Sequence, residues 1–414
     1  MLAPCAQPLT QPQGFLLDRG FQIFLTSYPE AQRSLDYPSL ALQPFYAGAL
    51  VRLADASWHR VADPVRHPLD ALLTLLPANG VGDVLDKLRV GLLRLLSLAT
   101  PPYGFLTAPE VPAAARLAQL GFSAAMVDRF WRPFLGGIFF DRQLRTTDRL
   151  LTFVMRCLAT GSNCLPAAGI GAVAQQLAGA LPEGTLRLGA RVQALQPAAS
   201  GATLQLASGA AVTARHAVVL AVEGPEAYRL APAELGAAPS AAGEGVGTAC
   251  VYFAAPLPMA PALREPILFL NGDAESLDGR GRLVNNACVP SAVAPSYAPP
   301  GTALISASVV GLPRPGSALD PSTPAGDAAL AAAVLEELGG WFGRDATAGW
   351  RHLRTYAIPY AQPPQGVPSV LERPARLAPW LVACGDHREA ATLDGALRSG
   401  RRAAEEVLAQ LGRK

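Results

Sequence analysis

Charge is scarce in this sequence. Only 16% of the 414 residues are Asp, Glu, Lys or Arg, and the formal net charge of +2 is spread along the chain without a basic block. Such a chain has no electrostatic footprint for DNA or RNA, so nucleic acid is discounted as a partner. Cysteine is also sparse: Cys5, Cys157, Cys164, Cys250, Cys288 and Cys384 show no Cys-x-x-Cys spacing. A zinc site or a disulfide framework is therefore not expected, and buried reduced thiols are. The longest strongly apolar helical stretch, Leu85 to Ala99, contains Lys87, Arg89 and Arg94 and is too short to span a bilayer. Any membrane contact is expected to be peripheral. Gly-x-Ser-x-Gly, His-Glu-x-x-His and Gly-x4-Gly-Lys-Ser/Thr are all missing, which removes support for serine hydrolase, zincin and P-loop chemistry.

What is present is apolar and ordered. Half of the residues are hydrophobic, and the length allows two or three domains with an ample core. Residues 38–62 read as a hairpin, with Ala49–Leu53 and Trp58–Val61 flanking a turn. From about 67 to 160 the periodicity is helical, with Leu69, Leu72, Leu73 and Leu76 on one apolar face and Val84, Leu85, Leu88, Leu92 and Leu95 on another. The aromatic run Phe130 to Phe140 suits a packed helix corner or a substrate wall, and Phe134 and Phe139 are its pocket candidates.

Ala168–Ala174 matches Gly-x-Gly-x-x-Ala at a helix start, but the preceding Asn163–Ala167 reads as a loop and no ribose-binding acid follows. Its glycines are expected to serve turn geometry. Strands are expected at Thr185–Leu195, in a hairpin turning at Ser208–Gly209, and at His216–Val222, an apolar run of the kind buried on both faces. His216 reads as structural or solvated. From about 245 to 374, strands alternate with Pro-rich connections around one helix near Ala329 to Phe342. A mostly antiparallel sheet with covering helices is the simplest arrangement.

The most informative stretch lies near the C-terminal end. Trp380–Cys384 is a short apolar strand closing on Gly385-Asp386-His387, and Asp394-Gly395-Ala396 opens a helix with Leu397, Ala404, Val407, Leu408 and Leu411 on one side. Free N–H groups and partial positive charge at a helix N-terminus suit a polar or anionic ligand. Here the chain resembles the flavin-containing amine oxidase superfamily, which includes protoporphyrinogen oxidase and the phytoene desaturases. The segment Leu16 to Gln22, the 165–195 region, and the Gly385-Asp386 and Gly395-Ala396 pairs carry the resemblance.

The resemblance implies an α/β fold: an FAD-binding domain assembled from discontinuous segments, and a mostly antiparallel substrate domain with a helical insertion. The expected segments are 14–62 at the domain junction, 63–160 as the helical cap, 161–235 and 375–414 in the FAD-binding domain, and 236–374 in the substrate domain. It implies FAD as cofactor, with Gly20, Phe21, Gln22, Val192, Glu223, Gly224, Gly385, Asp386, Asp394, Gly395 and Ala396 about it, and Tyr356 and Tyr360 beside Phe134 and Phe139 in the substrate pocket. It implies hydride transfer from a hydrophobic small molecule to the flavin, with no protein nucleophile. The family's first dinucleotide-binding βαβ unit, with its Gly-x-Gly-x-x-Gly, is not found near the start of the sequence. Two expectations follow: an incomplete FAD-dependent oxidoreductase, or a flavin-free remnant that binds an apolar ligand or acts as a scaffold. The compartment stays open, cytoplasmic by default and a plastid if a transit peptide lies upstream.

Overall fold

A computed structural model describes residues 12–74, 80–198, 201–235, 246–273 and 282–412. Its largest sheet has seven strands in the order Arg351–Gln362, Val246–Pro256, Thr302–Val310, Val284–Cys288, Leu268–Asn271, Gly48–Arg52 and Trp58–Ala62. Neighbours run antiparallel except for Leu268–Asn271 against Gly48–Arg52. One face packs Val251, Phe253, Phe269 and Ile305 against Leu330, Val334, Leu338 and Trp341 of the helix Pro324–Phe342. Burial of these side chains, worth about 1.5–3 kcal/mol each, holds helix and sheet together.

A second, smaller layer is α/β in character. Leu381–Ala383 runs parallel to Val218–Leu220 and antiparallel to Arg376–Ala378. Val382 and Cys384 pack toward Ala403 and Val407 of the helix Leu393–Gln410, while Leu381 and Ala383 face Leu220 and Leu230. The strand Leu381–Ala383 is thus buried on both faces. Val218–Leu220 is not, contrary to expectation: Val219 is 43% exposed, because the helix that packs on its neighbour Val382 does not cover it.

The final helix also differs from its sequence pattern. Gly395, Ser399 and Ala403, four residues apart, form its buried line, and Ala404, Leu408 and Leu411 face out. Small residues win the inner face because the helix lies close to the strand beneath it, as the bond from the Gly385 N–H to Ser399 Oγ (2.8 Å) shows. The helical insertion runs through the helices Val84–Ala99, Ala113–Gln119, Arg132–Phe139 and Asp148–Thr160, built around Trp131, Leu135, Leu150 and Phe153. The side chains of Leu72 and Leu73, the whole of Leu76, and Cys5 lie outside the described residues.

Several expectations hold and others shift. The hairpin Gly48–Ala62 and the hairpin through Ser208–Gly209 both form. The segment at 163–166, read as a loop, is a strand flanked by Phe24–Leu25 and Leu42–Pro44. Its partners lie more than a hundred residues away, so no local pattern announces it. Strand structure in the 185–195 region begins only at Val192, where Ala202–Leu206 supplies a partner. The five described cysteines are free and buried.

Candidate functional site

The strand Arg351–Gln362 lies at the edge of the large sheet, and one of its faces meets both ends of the candidate site. Alternation places Tyr356, Ile358 and Tyr360 on that face. Tyr356 packs edge-on against Tyr252, with ring centroids 6.1 Å apart, and Phe21 joins the same apolar cluster. Ile358 lies against Gly20, where an added Cβ would come within 2.8 Å of its Cδ1, and Gln22 is the next group away. The loop Gly20–Gln22 and Tyr356 therefore form one end.

Tyr360 marks the other end. A Cβ on Gly224 would lie 2.7 Å from the Tyr360 hydroxyl and 3.4 Å from His387 Cβ. A Cβ on Gly385, whose φ is +137°, would lie 2.8 Å from His387 Nδ1. Glu223-Gly224, Tyr360 and Gly385-Asp386-His387, distant in sequence, thus converge on a half-buried polar cluster. Tyr228 stands close enough to influence Tyr360.

The electrostatics of this cluster are those of polar groups short of solvent. Burial pushes the Asp386 carboxyl up to about 6, and the Glu223 carboxylate adds to the rise against a backbone hydrogen bond from His387. Burial, followed by Arg388 and Arg373, pushes the His387 imidazole down to about 4. The Tyr360 phenol is raised by burial and then by Asp386 and Glu223. At neutral pH, His387 is consequently uncharged. Both of its ring nitrogens are buried without a hydrogen-bond partner. Orphaned buried polar atoms carry a desolvation cost that a bound polar ligand removes.

Other candidates are engaged differently. Asp394 turns its carboxylate toward a distant helix: Oδ1 accepts the Glu30 N–H at 2.7 Å, and Oδ2 accepts the Tyr103 hydroxyl at 3.0 Å. It caps Pro29–Ser34, whose own N-cap residue Tyr28 provides no side-chain bond. Gly395 packs where a Cβ would collide with the Ala390 carbonyl oxygen, and its N–H is taken by Thr392 Oγ1 at 2.9 Å. Ala396 follows on the helix. Val192 lies at the start of its strand, its carbonyl accepting from Arg229 at 3.1 Å. Phe139 is buried in the insertion's core, and Phe134 stacks on Phe130 at 5.3 Å. Gln362 ties the site strand to that helix by donating to the Ile138 carbonyl at 2.9 Å.

The Gly-x-Gly-x-x-Ala match is closed in the same physical way. Its helix begins beside Asp18, whose carboxylate accepts the Ile170 N–H at 2.9 Å and the Tyr297 hydroxyl at 2.8 Å. An anion already sits at that N-terminus, which leaves it unsuited to a pyrophosphate. Sequence reasoning missed His387 as a site residue. Its position directly after the Gly-Asp pair was the available signal.

This geometry accompanies a match to the model of flavin containing amine oxidoreductases over residues 8–408. The chain belongs to that family. Its cofactor is FAD, and its fold is that of the flavin amine oxidases. Similar solved structures include a candidate protoporphyrinogen oxidase from Exiguobacterium sp. 255-15, at 17% identity and TM-score 0.65, covering 98% of this chain and 90% of that one. Putrescine oxidase bound to putrescine aligns at 16% identity and TM-score 0.64, over 98% of this chain and 91% of its own. Cyclohexylamine oxidase from Brevibacterium oxydans IH-35A aligns at 15% identity and TM-score 0.61, over 97% and 90%. No curated protein sequence matches the chain.

The residues present fit the polar portion of the family's cofactor. A carboxyl acceptor, a phenol and an imidazole with two free nitrogens meet beside Gly224 and Gly385, whose missing side chains let the Tyr360 hydroxyl and the His387 ring lie against the backbone.

Proposed function

We propose that this amine oxidoreductase family member is an FAD-dependent oxidoreductase that oxidises an apolar small molecule. Asp386, Tyr360 and His387 would hold the polar part of FAD, with Glu223-Gly224 forming the opposing wall. Bound FAD supplies the acceptor for a hydride equivalent. The chain's own residues position and exclude water. The face of Tyr356, Ile358 and Tyr360 is an apolar wall with two phenols. A neutral His387 adds a hydrogen-bond donor and an acceptor without adding charge. No charged nucleophile is needed, which suits a hydrophobic substrate.

The observation that carries this reading is the pair of buried, unpartnered ring nitrogens of His387 among Asp386, Gly224 and Tyr360. Its test is the visible spectrum of the purified chain after incubation with FAD and desalting. A retained flavin band at near-stoichiometric occupancy is expected, weakened in His387→Phe. A colourless protein whose addition leaves FAD fluorescence unchanged would overturn the reading in favour of a flavin-free binding protein.

A further inference from the structure

Two residues after Asp386, the chain buries a cation that no described carboxylate neutralises. Arg388 is 7% exposed. One of its terminal nitrogens donates to the Pro374 carbonyl at 2.5 Å, and its Nε is buried with no partner. Buried charges are ordinarily paired with an opposite charge, because their desolvation is otherwise uncompensated. Here the neighbours carry the same sign. The Arg373 N–H donates to the Arg388 carbonyl at 2.9 Å, which brings a second arginine alongside, and the Arg373 carbonyl accepts from Arg402 at 3.3 Å. Among the described residues the half-buried Arg373 guanidinium has no hydrogen bond or ion pair of its own. Burial and then Arg373 lower the Arg388 guanidinium from its ordinary value; Tyr228 opposes them, and Arg402 adds to the lowering.

The nearby acids are already engaged. Glu389 is bonded by Arg398 and, at 2.8 Å, by Arg402, while Glu372 pairs with Arg398 at 2.7 Å and with Arg402 at 3.5 Å. Asp386 answers to burial, the His387 N–H and Glu223 rather than to these guanidiniums. His387 completes the group: both of its ring nitrogens lack partners, and Arg388 and Arg373 bear on it.

We propose that Arg373, Arg388 and His387, with the Tyr228 hydroxyl beside them, form a binding site for a phosphate group. Two guanidiniums without carboxylates match a phosphate dianion in charge, and their planar forks suit its oxygens. The neutral imidazole adds one further donor. Two sources carry this chemistry: the diphosphate of FAD, which rests on the proposed function, and a free phosphate or phosphate ester, which does not.

The test is isothermal titration of inorganic pyrophosphate into the full chain without added flavin, at fixed ionic strength. Saturable binding is expected in the wild type, weakened roughly tenfold or more in Arg373→Gln and in Arg388→Met. Arg344→Gln, at an exposed arginine on another helix, should bind as the wild type does. Urea denaturation gives a readout that a merely structural arginine would not produce. Arg388→Met removes an unpaired buried charge and leaves the carbonyl of the exposed Pro374 to water. Its midpoint without ligand should therefore equal or exceed the wild type's, and the rise that pyrophosphate gives the wild type should disappear. Arg373→Gln carries the comparison if Arg388→Met does not fold. No pyrophosphate binding by the wild type, or undiminished binding by Arg373→Gln and Arg388→Met, would overturn the proposal. Titration of FAD into pyrophosphate-saturated protein then separates the sources. A weakened FAD affinity assigns the site to the cofactor's diphosphate. An unchanged affinity, or no FAD binding at all, assigns it to a free phosphate, and the second of these counts against the flavin function alone.

Discussion

Replacing Gly224 by alanine tests whether the loop at 223–224 and the strand carrying Tyr360 meet as described. The new Cβ would lie 2.7 Å from the Tyr360 hydroxyl oxygen, inside any ordinary carbon–oxygen contact, but 3.5 Å from Tyr360 Cζ and 3.4 Å from His387 Cβ, which are tolerable. Over-packing of this kind costs about 1–3 kcal/mol. Deleting the hydroxyl removes the one bad contact, so Tyr360→Phe should rescue Gly224→Ala. The four proteins of the cycle, followed by urea denaturation, should show a favourable coupling of about 1–3 kcal/mol in the double variant. Flavin fluorescence on FAD titration gives the second readout: Gly224→Ala should weaken binding and the double variant should recover part of it. Additivity within about 0.5 kcal/mol would refute the close approach, and with it the claim that these segments share a pocket.

Two further outcomes follow from buried carboxyl groups. Burial raises Asp18 to about 6 despite its hydrogen bonds from Tyr297 and Ile170, so the native state holds this proton where the unfolded chain releases it. Its contribution to stability is present below about pH 4 and lost as pH rises to about 6, a change on the order of 3 kcal/mol. Asp18→Asn should flatten that part of the stability–pH curve relative to wild type, and parallel curves from chemical denaturation would contradict the assignment. Asp394→Ala should destabilise by about 2–4 kcal/mol, since it uncaps Pro29–Ser34 and strands the Tyr103 hydroxyl. Asp394→Asn, which retains an oxygen acceptor, should cost less; equal losses in the two variants' urea midpoints would show that the cap is not what Asp394 provides.

Local patterns carried much of this fold into view. The turn at Gly385-Asp386, the helix capped by Thr392 and the two hairpins each depend on neighbours within a few dozen residues, and the strand Leu381–Ala383 announces itself by its apolar run although one of its partners, Val218–Leu220, is remote. Where partners are remote, the same reasoning failed. The strand at 163–166 exists because Phe24–Leu25 and Leu42–Pro44 flank it. The leucine face of Val84–Ala99 was readable as periodicity, but its direction was not: Asp86, bonded to Ser123, and Arg94, bonded to Asp63, orient it. Likewise Asp394 stood in the right motif, and only the position of Glu30 shows where its carboxylate goes. His387 gains its character from burial among Asp386, Gly224 and Tyr360, which adjacency in sequence does not reveal.

The bond between Asp394 and the Glu30 N–H, joined by the ion pair of Arg401 with Glu30 at 2.8 Å, has a temporal consequence. It closes a ring of 364 residues, whose entropy cost grows only slowly with length but must be met before the contact repays it. During synthesis, the short helix at Pro29–Ser34 is made before Asp394 and receives its cap only when the segment carrying Asp394 has been translated. A nascent chain therefore carries an uncapped helix across the 364 residues that separate Glu30 from Asp394. Cleavage ahead of Asp394 would return that helix to the same condition.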